Sequence, residues 1–540
     1  PCGGARMTAP ASDAAAGRSA GLVAAGILVS RLTGFVRTWL IARYLGNSAE
    51  NDAYMMALRV PNALRNLLGE GTLSAAFVPV YSAMLGRGEE RGAKALANAL
   101  LGVLLVGVSV LTLVGIVAAP WLTAVLAAGF PAETAELTTR LMRVLFPMAG
   151  LMVISGWCLG VQNSHRRFFI SYASAALWSV AQIVLLAGWG ASASSMVELA
   201  WWLSWATLAG AALQVSVQLP EVWRLAGPLR PTVRSANHDV MPVLRNLIPV
   251  IGALGVVQLS GFADGFIAAF LAEGSVSTLG YANQLMLLPV AMFGIAVSAS
   301  SLPELSRAST VTADTAALTA QREAVRLRVQ NGWVRILFYV VPSAMVFIVF
   351  GDLVIGVLLR SGRFGLEEQT LVHATLAAYA VGLVGFSSNR LFATVFHAVQ
   401  DYRTPLRFSM VSVAVSIAAA ATLAYVFRSH ALAVAGIALG AAMGSWVNFA
   451  LLTGRVRHRF GPLLDATSRR IVGWVVALTA VAALSSGGVR LVLPPLHRYV
   501  EAPVVLGVFS LVYLLGSWWF GSSEASRWLR LAPRGASVKR

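Results

Sequence analysis

The chain has 540 residues, 57% of them hydrophobic and only 12% charged, with a formal net charge of +18. A soluble domain of ordinary composition carries about 25% charged residues, so this balance excludes a water-soluble enzyme and points to an all-α polytopic membrane protein. The positive excess reads as cytoplasmic loops obeying the positive-inside rule, and no nucleic-acid partner is expected.

Residues 1–19 are small and polar. They are expected to form a disordered tail, with Met7 a candidate start and no cleavable signal peptide, because the first apolar run is too long and arginine-rich for one. Apolar runs then recur to the end, each long enough to cross a hydrocarbon core of about 30 Å. Fourteen membrane helices are expected, near 20–45, 50–84, 95–127, 136–162, 168–190, 196–220, 241–272, 277–303, 330–358, 369–398, 405–427, 431–454, 471–489 and 502–520.

The first two runs hold the residues that matter most. Arg31, Arg37 and Arg43 interrupt the first, and Asp52, Arg59, Asn62, Arg65 and Glu70 fall in the second. A charged side chain near a bilayer centre costs at least about 2.5–3.5 kcal/mol, so it faces a wet cavity or a partner. Arginine also binds phosphate through a planar fork and stays charged in any cavity. Arg31, Arg37 and Arg65 are therefore candidate anion ligands, whereas Arg43 and Arg59, nearer helix ends, are expected to snorkel. Arg31 and Arg37 are six residues apart and point about 120° apart on an ideal helix; a bend at Gly34 would bring both to one cavity.

Further along, Cys158 is an apolar filler, and with Cys2 it makes neither a disulfide framework nor a metal cluster. Trp201, Trp202 and Trp205 are packing or lipid-facing aromatics, and the seven histidines are scattered without metal-ligand spacing. Asp264 is a lone carboxylate in the seventh run, read either as a counter-ion to an arginine or as a Na⁺ or H⁺ coupling site. No other cofactor is expected. Residues 304–329 form the longest hydrophilic connection, within which 321–328 reads as an amphipathic surface helix bridging two lobes. Arg390, beside Asn389 in the tenth run, is a second-lobe anion contact or a structural pair.

Loops after even-numbered runs, together with the tails, carry roughly 26 cations, against about 6 on the other side, where Arg140, Arg360, Arg363, Arg428, Arg490 and Arg498 lie. Both termini are thus expected in the cytoplasm. At an offset of 227 residues, Thr33-Gly34-Phe35-Val36-Arg37 aligns with Ser260-Gly261-Phe262-Ala263-Asp264, Leu45-Gly46 with Ala272-Glu273, and Ala53-Tyr54 with Gly280-Tyr281. This similarity implies two six-helix lobes in pseudo-two-fold relation, a known transporter plan. The expected divisions are an N-lobe at 20–225, a C-lobe at 226–460, two extra helices at 461–522 and a basic cytoplasmic tail at 523–540.

Ser30-Arg31-Leu32-Thr33-Gly34-Phe35-Val36-Arg37, Asp52-Ala53, Pro61-Asn62-Ala63-Leu64-Arg65 and the run from Gly69-Glu70-Gly71 to Pro79-Val80 resemble the signature of the MurJ/MviN lipid II flippases. Gln400-Asp401-Tyr402-Arg403-Thr404-Pro405 adds weaker similarity. That family lies in the multidrug/oligosaccharidyl-lipid/polysaccharide exporter superfamily. The resemblance implies two lobes around a central cavity, alternating access, and two extra helices forming a lipid-tail groove. It implies that Arg31, Arg37 and Arg65 are cavity arginines required for flipping and that Asp52 and Glu70 are functionally sensitive acids. It also implies an acidic helix-7 Na⁺ site in some members, matched here by Asp264. Where the family often has an Asp-Arg pair in helix 8, this chain reads Asn283-Gln284, so Gln284 stands at the second lobe's usual arginine.

The implied activity is transport of lipid II, an undecaprenyl-pyrophosphate-linked disaccharide-peptide, across a bacterial cytoplasmic membrane. Membrane lipids and the cell-wall synthesis or division machinery are its expected partners. No Walker-type Gly-rich motif occurs. Two alternatives stay open, a flippase for another lipid-linked glycan and a cation-coupled multidrug exporter of the same superfamily. A membrane enzyme is disfavoured, because the outer loops are short.

Overall fold

The computed structural model describes residues 11–69, 72–73, 76–232, 240–295, 297, 315–399, 401–428, 432–494 and 496–520. Glu70, Gln400 and residues 304–314 of the 304–329 connection lie outside them. The chain divides into two compact units, residues 1–258 and 259–540.

The first unit holds α1 (Ala11–Leu45), α2 (Ala49–Leu68), α3 (Val78–Gly86), α4 (Glu90–Leu126), α5 (Ala132–Ser164), α6 (Phe168–Ala173), α7 (Ala175–Trp189) and α8 (Met196–Ala226). α9 (Val240–Ala269) begins in it. α1 starts nine residues earlier than the sequence suggests, within the stretch expected to be a tail. Ala14, Ala15 and Ala16 are strong helix formers and extend it. A Ser48 cap accepting from the Asn51 N–H opens α2, and a Ser195 cap accepting from the Glu198 N–H opens α8.

α5 is the hub of this unit, packing against α2, α4 and α8, while α1 lies on α6 and α7. Phe77, Tyr81, Leu100, Trp157 and Val161 form its apolar core. A buried polar chain crosses it. Gln214 Nε2 donates to Ser155 Oγ at 2.8 Å, Ser155 Oγ to Gln218 Oε1 at 2.9 Å, and Gln218 Nε2 to Ser174 Oγ at 2.7 Å. In lipid there is no hydrophobic drive between helices, so interhelical hydrogen bonds and close packing carry the association.

The second unit continues with α10 (Ser275–Pro289), a π-helical turn at Val290–Ile295, α11 (Thr315–Val349), α12 (Gly351–Leu358), α13 (Leu366–Val381), α14 (Leu383–Ala398), α15 (Arg403–Val426), α16 (Ala433–Phe460), α17 (Ala466–Val492) and α18 (Arg498–Trp519). Residues 321–328, expected as an amphipathic surface helix, lie in the N-terminal part of α11 and are continuous with its apolar part. Arg326 pairs there with Glu323 and donates to Pro462 O at 3.0 Å. α15 and α16 pack face to face through Gly436, Gly440 and Gly444. A Cβ at Gly444 would stand 2.7 Å from Ser412 O, and one at Gly440 would overlap the Ala420 backbone. Four-residue spacing of glycines lets the two backbones approach closely.

Among the described residues ten helices are long and apolar enough to cross a membrane, or eleven if the α13–α14 pair, bent by 42°, is one span. The expected first, second and seventh spans are absent from that count. Arg31, Arg37 and Arg43 interrupt α1, and Glu50, Asp52, Arg59 and Arg65 interrupt α2, while α9 offers only the apolar stretch Leu254–Ala269. The repeat positions do fall on matching elements, α1 with α9 and α2 with α10. Tyr54 and Tyr281, 227 residues apart, are 2% and 1% exposed.

Candidate functional site

The first unit gathers two arginines on one aromatic ring. Arg37 reaches from α1, and its guanidinium carbon lies 4.5 Å from the centre of the Trp178 ring on α7. Arg65, one residue turn from the end of α2, places its guanidinium 5.5 Å from the same ring. Both distances fall within the range of cation–π attraction. α1 runs as unbroken helix through Gly34, where a Cβ would be 3.9 Å from Ser179 Oγ, so a small residue marks the α1–α7 approach.

The ring is backed by a hydrogen-bonded chain. Gln182 Nε2 donates to Trp178 O at 3.2 Å, and Gln182 Oε1 accepts from the Tyr54 hydroxyl at 3.1 Å. Tyr54 also shares a 2.9 Å hydroxyl contact with Thr207, which donates to Leu203 O at 2.6 Å. Tyr54 is on α2, Gln182 on α7 and Thr207 on α8, and all three are buried. The helices that carry the arginines are thereby tied together behind them.

Neither guanidinium forms an ion pair with a described carboxylate; a charged neighbour of Arg37 is Arg65, which stands over the same ring. Two like charges held near each other in a poorly solvated place repel. Moreover, Arg37 Nε and Trp178 Nε1 are buried donors with no acceptor among the described residues. Leaving such a donor unsatisfied costs about 1–3 kcal/mol, more for a charged group. An oxyanion would answer both problems at once.

The other expected residues fall variously. Arg31 is exposed, consistent with its angular offset from Arg37 on an unbroken helix. Asn62, three residues before Arg65 on α2, is half-buried, and its Oδ1 receives no hydrogen bond. Asp52 is 3% exposed in the first turn of α2, about 20 Å along the helix from Arg65, so it is not part of the two-arginine cluster. Glu70 lies outside the described residues. In the second unit Asp264 on α9 and Gln284 on α10 are half-buried, and Arg390 on α14 is exposed. Its neighbour Asn389 donates from Nδ2 to Ser445 O at 3.0 Å, tying α14 to α16. Among the described residues no group of three or more His, Cys, Asp or Glu side chains could hold a metal ion.

Sequence reasoning missed Trp178 and the Tyr54–Gln182 link. The one available signal was a tryptophan and a glutamine one helical turn apart in an apolar segment, at Trp178 and Gln182.

A model of the protein family described as "Lipid II flippase MurJ" matches residues 41–507. The chain is 30% identical to the lipid II flippase MurJ of Burkholderia cenocepacia over 514 residues, covering 92% of this chain and 96% of that one. It is 29% identical to the probable lipid II flippase MurJ of Rhizobium meliloti over 536 residues, covering 96% of both. Its fold is similar to a solved lipid II flippase MurJ in an inward closed conformation, with TM-score 0.75, 20% identity and coverage of 94% and 99%. An inward-facing MATE-family multidrug transporter of the MOP superfamily has a similar fold at TM-score 0.65 and 16% identity, covering 80% and 95%.

Proposed function

The chain belongs to the lipid II flippase MurJ family, and from that premise we propose that it carries lipid II from the inner to the outer leaflet of a bacterial cytoplasmic membrane by alternating access. The observation that carries this reading is the placement of Arg37 and Arg65 over Trp178 without a carboxylate partner among the described residues. A diphosphate-linked lipid brings two adjacent phosphoryl groups, and each guanidinium offers a fork that meets one of them. The two arginines, with Asn62 beside Arg65, are the headgroup ligands of the first unit. Arg31 contributes from the exposed side of α1, and Asp52 and Glu70 tune the segment around them.

Gln284 and Arg390 serve the second unit, and Asp264 is the coupling site for Na⁺ or H⁺. Moving an anion outward across an inside-negative membrane gains about 2.3 kcal/mol per charge per 100 mV, so membrane potential drives the cycle in the productive direction without nucleotide hydrolysis. The helices at 461–522 hold the lipid tail, the termini face the cytoplasm, and the cell-wall synthesis machinery takes up the product. A multidrug exporter of cations is the poorer reading, because the clustered arginines repel such cargo.

The decisive experiment replaces a host's own lipid II flippase with this chain and scores survival alongside outer-leaflet lipid II. Survival with restored exposure is the expected result. Membrane insertion without either, or exposure of a different lipid-linked glycan instead, would overturn the assignment.

A further inference from the structure

Trp178 is the element of this cluster that neither charge nor the family signature singles out. Its ring stands 4.5 Å from the Arg37 guanidinium and 5.5 Å from that of Arg65. The two arginines come from different helices, and each is drawn to the electron-rich face of the same indole. Two like charges repel, and without that ring their long flexible side chains would let them separate. The indole is itself anchored, because its helix is pinned through Gln182 to the Tyr54 hydroxyl. Its own Nε1 and Nε of Arg37 are both buried and have no acceptor among the described residues, so the platform presents donors of its own.

We propose that Trp178 is a positioning residue that gathers Arg37 and Arg65 into a single diphosphate-reading unit and so sets selectivity for a lipid diphosphate over a lipid monophosphate. The proposal rests on the flippase reading above. A monophosphate engages one fork and gains little from having the second nearby. A diphosphate spans both forks, and its binding depends on their being held together beforehand, since preorganisation removes the ordering penalty otherwise met on binding. Selectivity then follows from the platform, whereas charge alone would favour both ligands.

The test uses the full chain purified in detergent, with a polyprenyl diphosphate and the matching polyprenyl monophosphate as probes. Affinities are measured for wild type, Trp178→Phe, Trp178→Leu and Trp178→Met. The wild type should prefer the diphosphate. Trp178→Phe, which keeps an aromatic face, should retain most of that preference. Trp178→Leu and Trp178→Met should lose roughly tenfold in diphosphate affinity while monophosphate affinity stays nearly constant. A variant that merely damages the fold would weaken both probes together, and having two aliphatic replacements guards against one failing to fold. In an Arg37→Ala/Arg65→Ala background, Trp178→Leu should change nothing further.

If Trp178→Leu and Trp178→Met keep the diphosphate preference, or if Trp178→Phe loses it as fully as they do, the platform role is wrong while the flippase reading stands. If the wild type itself does not bind the diphosphate, the flippase reading fails first.

Discussion

Arg490 grips Asp352 with both terminal nitrogens, Nη2 to Oδ2 at 2.5 Å and Nη1 to Oδ1 at 3.2 Å, while its Nε donates to Glu501 Oε1 at 3.1 Å. One cation from the end of α17 thus bridges carboxylates in the first turns of α12 and α18. Charge-assisted, bidentate bonds of this kind are the strong ones. Arg490→Ala should lower stability in detergent by about 2 kcal/mol, because it leaves two carboxylates without their shared cation. Adding Asp352→Asn and Glu501→Gln should recover part of the loss. An unchanged melting temperature in the single variant would show that the cluster does not hold these helices.

Arg37→Ala and Arg65→Ala should each abolish complementation while leaving membrane insertion intact, since either removes one fork of the pair. Arg31→Ala should also fail, acting from the exposed side of α1. Lysine at any of the three keeps the charge but not the fork, and should rescue partly. Cell survival at matched membrane levels is the readout. Full activity of the Arg37 and Arg65 alanine variants would sink the anion-binding reading.

Gln284→Ala should be milder than Arg37→Ala. A neutral amide donates to phosphate, but charge-assisted bonds are roughly twice as strong, so losing the amide should matter less. Gln284→Arg should be tolerated. Outer-leaflet lipid II exposure at equal expression checks this, and equal inactivity of Gln284→Ala and Arg37→Ala would mean that α10 contributes more than its charge suggests.

Gly440→Leu should destabilise the α15–α16 pair by about 1–3 kcal/mol, the usual range for overpacking, because even a Cβ at Gly440 overlaps the Ala420 backbone. Gly454→Leu, where a Cβ meets nothing within 4 Å, is the matched control and should leave thermal stability unchanged. Equal melting of both variants would remove the tight glycine contact as the cause.

Reporter fusions should place residues 90, 315 and 465 in the cytoplasm and residues 131 and 495 outside, following the loop-charge alternation. A single robust reporter of inverted sign would require the spans around it to be redrawn.

Much of this protein is decided locally, and that part was legible in the sequence. Runs of apolar residues must become helices in lipid, because every backbone polar group has to be satisfied within the segment. The same logic marked Arg37 and Arg65 as residues needing a partner, since the cost of a buried charge belongs to the residue itself. The same arginines keep α1 and α2 out of the set of helices long and apolar enough to cross a membrane, because Arg31, Arg37 and Arg65 dilute the apolar pattern. What answers a buried charge is not local. Trp178 lies far along the chain from both arginines and meets them only because α1, α2 and α7 come together in one bundle. Likewise Arg490 read as an outer-face cation until packing brought Asp352 and Glu501 to it. Transfer free energy is a property of each side chain and is written in the sequence. The identity of its partner depends on which helix faces approach, and only the tertiary structure decides that.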